Sequence, residues 1–129
     1  MSNPKVLIID DEEDICEIMG DSLELEDFKV AKALSSESAI QLFSNDNFNV
    51  VICDENLPGM KGRELLQKIA PVLKEKKILF YLSTGAVEAN DSEIVSAGGT
   101  GVINKPFDMD QVIERIQKDL KLSKSKSHI

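Results

Sequence analysis

Residues 6–11 read VLIIDD, so four apolar side chains are followed by two carboxylates. Residues 50–54 repeat the pattern as VVICD, with a third carboxylate at the end of the apolar run. Each run is too short to cross a membrane and too uniformly apolar for a strand with one solvated face. Both are therefore predicted to be buried parallel strands, and open α/β sheets place their ligand crevice at the carboxyl ends of such strands.

The three carboxylates at these strand ends, Asp10, Asp11 and Asp54, are expected to meet in one crevice. Carboxylates in one crevice repel each other, and the cluster destabilises the fold unless a cation or a proton compensates the charge. An all-oxygen site with few protein ligands and space for water suits Mg²⁺. We therefore expect Mg²⁺ to bind where these two strands end.

Strand-like and helical segments alternate five times along the chain. Parallel strands need right-handed crossovers, so this alternation with short connections implies a parallel sheet with helices on both faces. The predicted fold class is α/β, a doubly wound, five-stranded parallel sheet. The strands are predicted at residues 5–10, 28–33, 50–54, 78–82 and 101–104. Four helices are predicted at residues 12–26, 62–73, 90–97 and 108–122. The remaining helix is predicted to begin at a cap at Ser35 or Ser36 and to end at residue 44.

The composition is that of one ordinary globular domain, with 129 residues, of which 42% are hydrophobic and 29% charged. The net charge of -8 disfavours binding to nucleic acid or to an anionic membrane surface. No run has the form of a signal peptide or a membrane span, so a cytoplasmic location is expected. Cys16 and Cys53 fall in a predicted helix and a predicted buried strand, where a small hydrophobic role is more typical than a disulfide.

The predicted domain covers residues 1–122. Lysine and serine alternate in the segment that follows, and only its last residue is apolar. Because such a segment has almost no apolar surface to bury, residues 123–129 are expected to form a flexible C-terminal tail or a trimmed linker.

Three short motifs, each at a predicted strand end, carry a family resemblance. They are Asp10-Asp11 after the first strand, DENLPGMKG at residues 54–62 and KPF at residues 105–107. Together, and in this order, they show that the chain, over residues 5–120, resembles the receiver domain of response regulators in two-component signalling. The resemblance implies a (βα)5 flavodoxin-like fold and a phosphoprotein that works in a phosphorelay.

The resemblance implies that Asp54 accepts a phosphoryl group from a phosphohistidine on a sensor histidine kinase or a phosphotransfer protein. It also implies that Mg²⁺ is the cofactor, with Asp11 as a direct ligand and Asp10 acting through metal-bound water. Asp54 and the backbone carbonyl of Asn56 would complete the metal site, and Lys105 would offset charge on the phosphoryl oxygens. The domain is not expected to be an enzyme beyond its own phosphorylation and dephosphorylation.

The family places a Ser or Thr hydroxyl at the end of the fourth strand, and this chain has two neighbours there, Ser83 and Thr84. Counting back from Lys105 without gaps selects Ser83. The family's preference for a small residue after the hydroxyl fits Thr84 better, because Gly85 follows it. Ser83 is the preferred candidate, and Thr84 is the alternate. Either hydroxyl would donate to a phosphoryl oxygen and draw the following loop inward, which biases a two-state element.

Receiver domains commonly carry an aromatic residue three positions before the lysine, and here that position is Val102. The aromatic part of the family's switch is therefore not expected in this chain. The resemblance still implies a downstream protein partner on the face made by the fourth helix, the fifth strand and the fifth helix. The same face can support a dimer, whereas no contact with nucleic acid or membrane is expected.

Two other functions are compatible with parts of the sequence. The first is an interaction module of the same fold that works without phosphorylation, for which the missing aromatic residue is the only hint. The second is a Mg²⁺-dependent phosphohydrolase of another doubly wound family, because those enzymes also use an aspartate nucleophile at a strand end. Such hydrolases generally carry a second aspartate two residues later, and this chain has Asn56 there.

Overall fold

The structure, a computed structural model, describes residues 3–86 and 89–126, with side chains described as far as residue 123. Strands and helices alternate five times, which confirms the predicted order. In chain order the elements are β1 (Lys5–Ile9), α1 (Glu13–Leu25), β2 (Lys29–Ala33), α2 (Ser36–Asn45), β3 (Val50–Asp54), α3 (Gly62–Lys76), β4 (Leu79–Thr84), α4 (Asp91–Ser96), β5 (Gly101–Asn104) and α5 (Met109–Lys126).

All strand pairs are parallel, and the sheet has the order β2-β1-β3-β4-β5. The predicted doubly wound, five-stranded parallel sheet is therefore confirmed. The chain leaves β1 for β2 on one side and returns to β3 on the other, so the order reverses beside β1. This reversal opens a crevice at the carboxyl ends of β1 and β3, where doubly wound sheets bind their ligands.

Two hydrophobic cores lie on opposite faces of the sheet, because side chains alternate along each strand. One core packs Leu7 and Ile9 against α2 and α3, and the other packs Val6 and Ile8 against α1 and α5. Cys16 and Cys53 are both buried and free, as their predicted hydrophobic role requires. The two cores hold the central strands rigidly, so the ends of these strands are fixed relative to each other.

Two of the predicted helix starts are confirmed by their capping contacts. The Ser35 hydroxyl accepts a hydrogen bond from the Ser38 backbone N–H at 3.1 Å, and the Asn90 side chain accepts one from the Glu93 backbone N–H, also at 3.1 Å. Both side chains satisfy backbone donors that have no partner within the first helical turn.

Several element boundaries differ from the sequence-based expectation, most of them by a single residue. Helix α3 continues to Lys76, past the predicted end at Leu73, because the residues between them are good helix formers. Strand β4 begins one residue later than predicted and continues through Ser83 and Thr84, because these polar residues still pair with the neighbouring strands. Helix α5 continues to Lys126, past the predicted end at Leu122, because no helix-breaking residue lies between them. The domain boundary at residue 122 stays a prediction, and residues 127–129 lie outside the described residues.

Within residues 3–86 and 89–126, no helix combines the length and the apolar character that crossing a bilayer requires.

Candidate functional site

Three carboxylates lie together at the carboxyl ends of the two central strands. Asp10 directly follows β1, Asp11 comes next, and Asp54 is the last residue of β3. One oxygen from each of the three lies within 4.8 Å of the others. Asp10 and Asp54 are only 3% and 5% exposed, whereas Asp11 is exposed to solvent. The structure thus brings together the three acidic residues that the sequence predicted to share one crevice.

Lys105 is the cation beside this acidic cluster. It follows β5, and its backbone N–H donates to the Thr84 carbonyl at 2.8 Å, which extends the pairing of β5 with β4 by one residue. Its Nζ donates to Asp54 Oδ1 at 2.8 Å and lies 3.9 Å from Asp10 Oδ2. The lysine therefore pairs directly with Asp54 and only loosely with Asp10.

The electrostatics of the site show an excess of negative charge. Burial raises the pKa of Asp10, and the charge of Asp54 adds to this, while the backbone N–H of Glu12 and the charge of Lys105 oppose it. Partial burial acts to lower the pKa of Lys105, but the hydrogen bond and charges of the nearby carboxylates outweigh it, so its pKa is raised. The three carboxylates are offset by the single ammonium group of Lys105, so this group of side chains carries a net negative charge when all of them are ionised.

The donor set fits a hard divalent cation. All three clustered side chains offer carboxylate oxygens, which are the ligands that Mg²⁺ takes in proteins. Asp11 is exposed, so the cluster is open to solvent, and Mg²⁺ usually retains several waters. Asn56 is exposed in the loop directly after Asp54, and its role as a further ligand stays a prediction.

The two candidate hydroxyls at the end of β4 have different surroundings. Ser83 pairs in register with Asp54 on β3, so the two side chains lie on the same face of the sheet. Ser83 Oγ is buried and has no hydrogen-bond partner among the described residues. Thr84 lies on the opposite face, where its hydroxyl donates to the Glu55 carboxylate and accepts from the Ala86 backbone N–H at 3.0 Å. Only Ser83 therefore combines a position beside Asp54 with an unused hydroxyl.

A further polar cluster near the site was not anticipated from the sequence. The Glu55 carboxylate accepts hydrogen bonds from Thr84 and from Arg63 Nε, the latter at 2.6 Å, and Arg63 also pairs with Glu93 on α4. Burial acts to raise the pKa of Glu55, but these two hydrogen bonds, together with the charges of Arg63 and Lys61, outweigh it and the pKa is lowered. No sequence periodicity marks these pairs, because their members come from different elements. The cluster ties the loop after β3 to α3, β4 and α4.

The substitution Asp10→Asn should stabilise the domain in the absence of Mg²⁺. Asparagine keeps the side-chain oxygen that accepts the Glu12 backbone N–H at 2.9 Å, and it removes a buried charge that Asp54 repels. We expect a gain of about 1 kcal/mol in the free energy of unfolding, measured by urea titration. We also expect Mg²⁺ to stabilise this variant less than the parent. Asp21→Asn, which changes an exposed aspartate on α1, is the matched control. A loss of stability in Asp10→Asn without Mg²⁺ would contradict the prediction.

The chain is similar to known proteins of one family. The family model for the response regulator receiver domain matches residues 6–117. An uncharacterized transcriptional regulatory protein of Bacillus subtilis (strain 168), YrkP, is 29% identical over 118 residues, which is 91% of this chain and 49% of that protein. Sporulation initiation phosphotransferase F of the same organism is 25% identical over 122 residues, which is 95% of this chain and 98% of that protein. The chain thus spans about half of the first relative and nearly all of the second.

Solved structures agree with the sequence comparisons. The receiver domain protein (CheY-like) of Methanospirillum hungatei JF-1 has a TM-score of 0.88 and 27% sequence identity, and the match covers 97% of this chain and 99% of that one. The likeness therefore extends over the whole sheet and the helices that flank it. Because the family model also spans most of the 129 residues, the chain belongs to the response regulator receiver domain family.

Proposed function

We propose that this domain accepts a phosphoryl group on Asp54 from a phosphohistidine of a sensor histidine kinase or a phosphotransfer protein. The proposal rests on one observation, the position of the Asp54 carboxylate between two further carboxylates and the Lys105 ammonium group. Receiver domains of two-component systems interact with histidine kinases and downstream effectors, and this family membership supports the choice of donor.

In the proposed reaction, an Asp54 carboxylate oxygen attacks phosphorus and forms an acyl phosphate. The bond between phosphorus and the donor imidazole nitrogen breaks, and its electron pair stays on that nitrogen. Phosphoryl transfer requires mainly positioning and compensation of charge on the equatorial oxygens. Lys105 Nζ, 2.8 Å from Asp54 Oδ1, is close enough to supply a compensating charge. Hydrolysis of the acyl phosphate would return Asp54 to its starting state.

The carboxylates of Asp10, Asp11 and Asp54 would hold the Mg²⁺ ion, with the Asn56 carbonyl as a proposed further ligand. When bound, the ion would offset the negative charge of the three carboxylates and of the arriving phosphoryl group. The clustering of the three carboxylates supports this assignment. Burial, and to a smaller extent the charge of Asp54, raises the pKa of Asp10, so its ionised form is disfavoured unless a cation compensates the charge.

We propose that Ser83 provides the hydroxyl that donates to the phosphoryl oxygen, and that the Thr84 hydroxyl instead holds Glu55 in place. The support is that Ser83 Oγ is buried beside Asp54 without a partner among the described residues, whereas Thr84 is already bonded to Glu55. A buried hydroxyl without a partner carries a cost, and donation to a phosphoryl oxygen would remove it. Phosphorylation would then draw the end of β4 toward Asp54.

Ser83→Ala and Thr84→Val test this assignment against each other. We expect Ser83→Ala to accept a phosphoryl group but to lose most of the phosphorylation-dependent change in the amide chemical shift of Gly85, because the connecting hydroxyl is gone. Thr84→Val should keep that change, although it loses the bond to Glu55. The measurement is a pair of amide NMR spectra with and without phosphorylation. The reverse pattern would assign the switch to Thr84.

Receiver domains are generally signalling modules without enzymatic activity of their own, and the proposed chemistry adds only self-phosphorylation and autodephosphorylation. The proposed downstream partner is a protein that binds the face formed by α4, β5 and α5, and a dimer through this face is a further proposal. The net charge of -8 supports a protein partner over nucleic acid or membrane. The proposed location is the cytoplasm.

The decisive experiment is intact mass spectrometry after incubation with acetyl phosphate, with and without Mg²⁺. We expect one added phosphoryl group on the parent, only with Mg²⁺, and none on Asp54→Asn. Asp21→Asn, which changes an exposed aspartate on α1, is the matched control and should behave like the parent. Absence of the adduct despite measurable Mg²⁺ binding would favour an interaction module that works without phosphorylation.

A further inference from the structure

The guanidinium group of Arg115, on α5, is bound on three sides. Its Nη1 donates to the Val102 carbonyl at 2.9 Å, its Nη2 donates to Asp91 Oδ2 at 3.0 Å, and its Nε lies 3.5 Å from Asp119 Oδ2. A planar guanidinium with five donors can make such contacts at once, which a lysine cannot do. Arg115 therefore joins α5 to β5 and to the first residue of α4.

Asp91 closes the arrangement from the other side. Its Oδ1 accepts the Val102 backbone N–H at 2.8 Å while its Oδ2 accepts from Arg115. Strand β5 is at the edge of the sheet, so the N–H and the carbonyl of Val102 that point away from β4 would otherwise face solvent. Instead, Asp91 binds the N–H of Val102 and Arg115 binds its carbonyl. We call Asp91, Val102 and Arg115 the clasp.

The clasp is also linked to β4. Arg115 Cζ lies 5.1 Å from the centre of the Tyr81 ring, a cation–π distance. The buried Tyr81 hydroxyl donates to Asp119, the carboxylate that also faces Arg115 Nε. Tyr81 is two residues before Ser83 on the same strand. Arg115 therefore contacts both β4 and β5. These are the strands that place Ser83 and Lys105 beside Asp54.

Gly101 provides the space that the clasp needs. A Cβ atom at this position would lie 2.1 Å from Arg115 Nη2 and 2.7 Å from Asp91 Oδ1, so any side chain would displace one of the two. The guanidinium thus passes directly over the backbone of β5. The contact depends on a glycine at the first residue of that strand.

We propose that the clasp transmits the state of Asp54 to α4 and α5, with Arg115 as the positioning residue. This inference rests on the proposed function. Ser83 lies near the end of β4, and Lys105 directly follows β5. Arg115 contacts Tyr81, two residues before Ser83, and binds the carbonyl of Val102, three residues before Lys105. When a phosphoryl group on Asp54 draws Ser83 and Lys105 toward it, these short strands move and the contacts of Arg115 rearrange. Packed elements respond to small shifts by changing between discrete arrangements.

The clasp would connect the phosphorylation site to α4 and α5 without an aromatic side chain at position 102, where this chain has valine. An isolated surface ion pair contributes little to stability, so Asp91 and Arg115 are not expected to act mainly as a stabilising pair. Their effect lies in the two backbone groups of Val102 that they bind. Exchange of the Val102 amide hydrogen is therefore the direct measure of whether the clasp is closed.

The test uses the full chain labelled with ¹⁵N, with Mg²⁺, before and after addition of acetyl phosphate. Amide exchange at Val102 and the Arg115 Nε resonance are recorded, and intact mass is measured on the same sample. We expect phosphorylation to change Val102 exchange by about tenfold and to shift the Arg115 Nε resonance. In Arg115→Gln, Val102 should exchange about tenfold faster from the start, and phosphorylation should no longer alter the amides of α4.

Lys118→Gln is the matched control, because it also removes one positive charge from α5 but changes an exposed residue that is not part of the clasp. It should behave like the parent. If the adduct forms while Val102 exchange and the Arg115 resonance stay unchanged, the clasp inference is wrong and the proposed function stands. If no adduct forms, both are wrong. The measurement on the parent decides the question even if Arg115→Gln fails to fold.

Discussion

Gly62→Ala is expected to lower the free energy of unfolding by about 3 kcal/mol, although alanine is normally the better helix former. Gly62 is the first residue of α3 and packs against the end of β3. A Cβ atom there would lie 2.4 Å from the Asp54 carbonyl oxygen and 3.0 Å from Glu55 Cα. Both obstacles are backbone atoms, which cannot rotate away as a flexible side chain can. The helix or the strand end must therefore shift.

The shift would also weaken the hydrogen bond from the Gly62 N–H to the Glu55 carbonyl, which is 2.9 Å long. Urea titration measures the loss of stability, and the rate of adduct formation with acetyl phosphate measures the damage to Asp54. Gly85→Ala is a sharp control, because a Cβ atom at Gly85 would meet no atom within 4 Å. Equal stability of Gly62→Ala and the parent would show that α3 can move at little cost.

Lys105→Met should slow phosphorylation of Asp54 by acetyl phosphate on the order of 100-fold, the typical loss when one charge-stabilising donor is removed from a reaction site. Methionine keeps much of the aliphatic stem and deletes the ammonium group that lies 2.8 Å from Asp54 Oδ1. Intact mass against time gives the rate. Lys68→Met, at an exposed position on α3, is the matched control and should retain the parent rate.

The same substitution should strengthen Mg²⁺ binding while it slows phosphorylation. Without Lys105, the three carboxylates lose the ammonium group that pairs with Asp54, so a divalent cation meets less repulsion. Mg²⁺ affinity can be measured from the rise of the urea midpoint with Mg²⁺ concentration. Opposite changes in the two quantities separate a loss of charge compensation from general damage to the site. A parallel weakening of both would point to misfolding instead.

The sequence alone determined the architecture and the chemical character of the site. Local patterns were sufficient, since two short apolar runs that end on Asp10 and Asp54 predict buried strands. Their alternation with helical segments predicts a parallel sheet, which the structure confirms. The order of motifs along the chain then indicated the acidic cluster and Lys105. Each motif is a short run of neighbouring residues at a strand end, and a parallel sheet brings the carboxyl ends of its strands to one edge, which is why the cluster could be predicted.

Only the tertiary structure decided which side chains meet across elements. The spacing to Lys105 favoured Ser83, whereas the glycine after Thr84 favoured that residue. The strand register separates the two hydroxyls, because neighbours along a strand face opposite sides of the sheet. The pair Glu55 and Arg63 and the clasp of Asp91 and Arg115 have no sequence signature. Their members come from different helices, strands and loops, so packing of the two sheet faces, and not local propensity, brings them together.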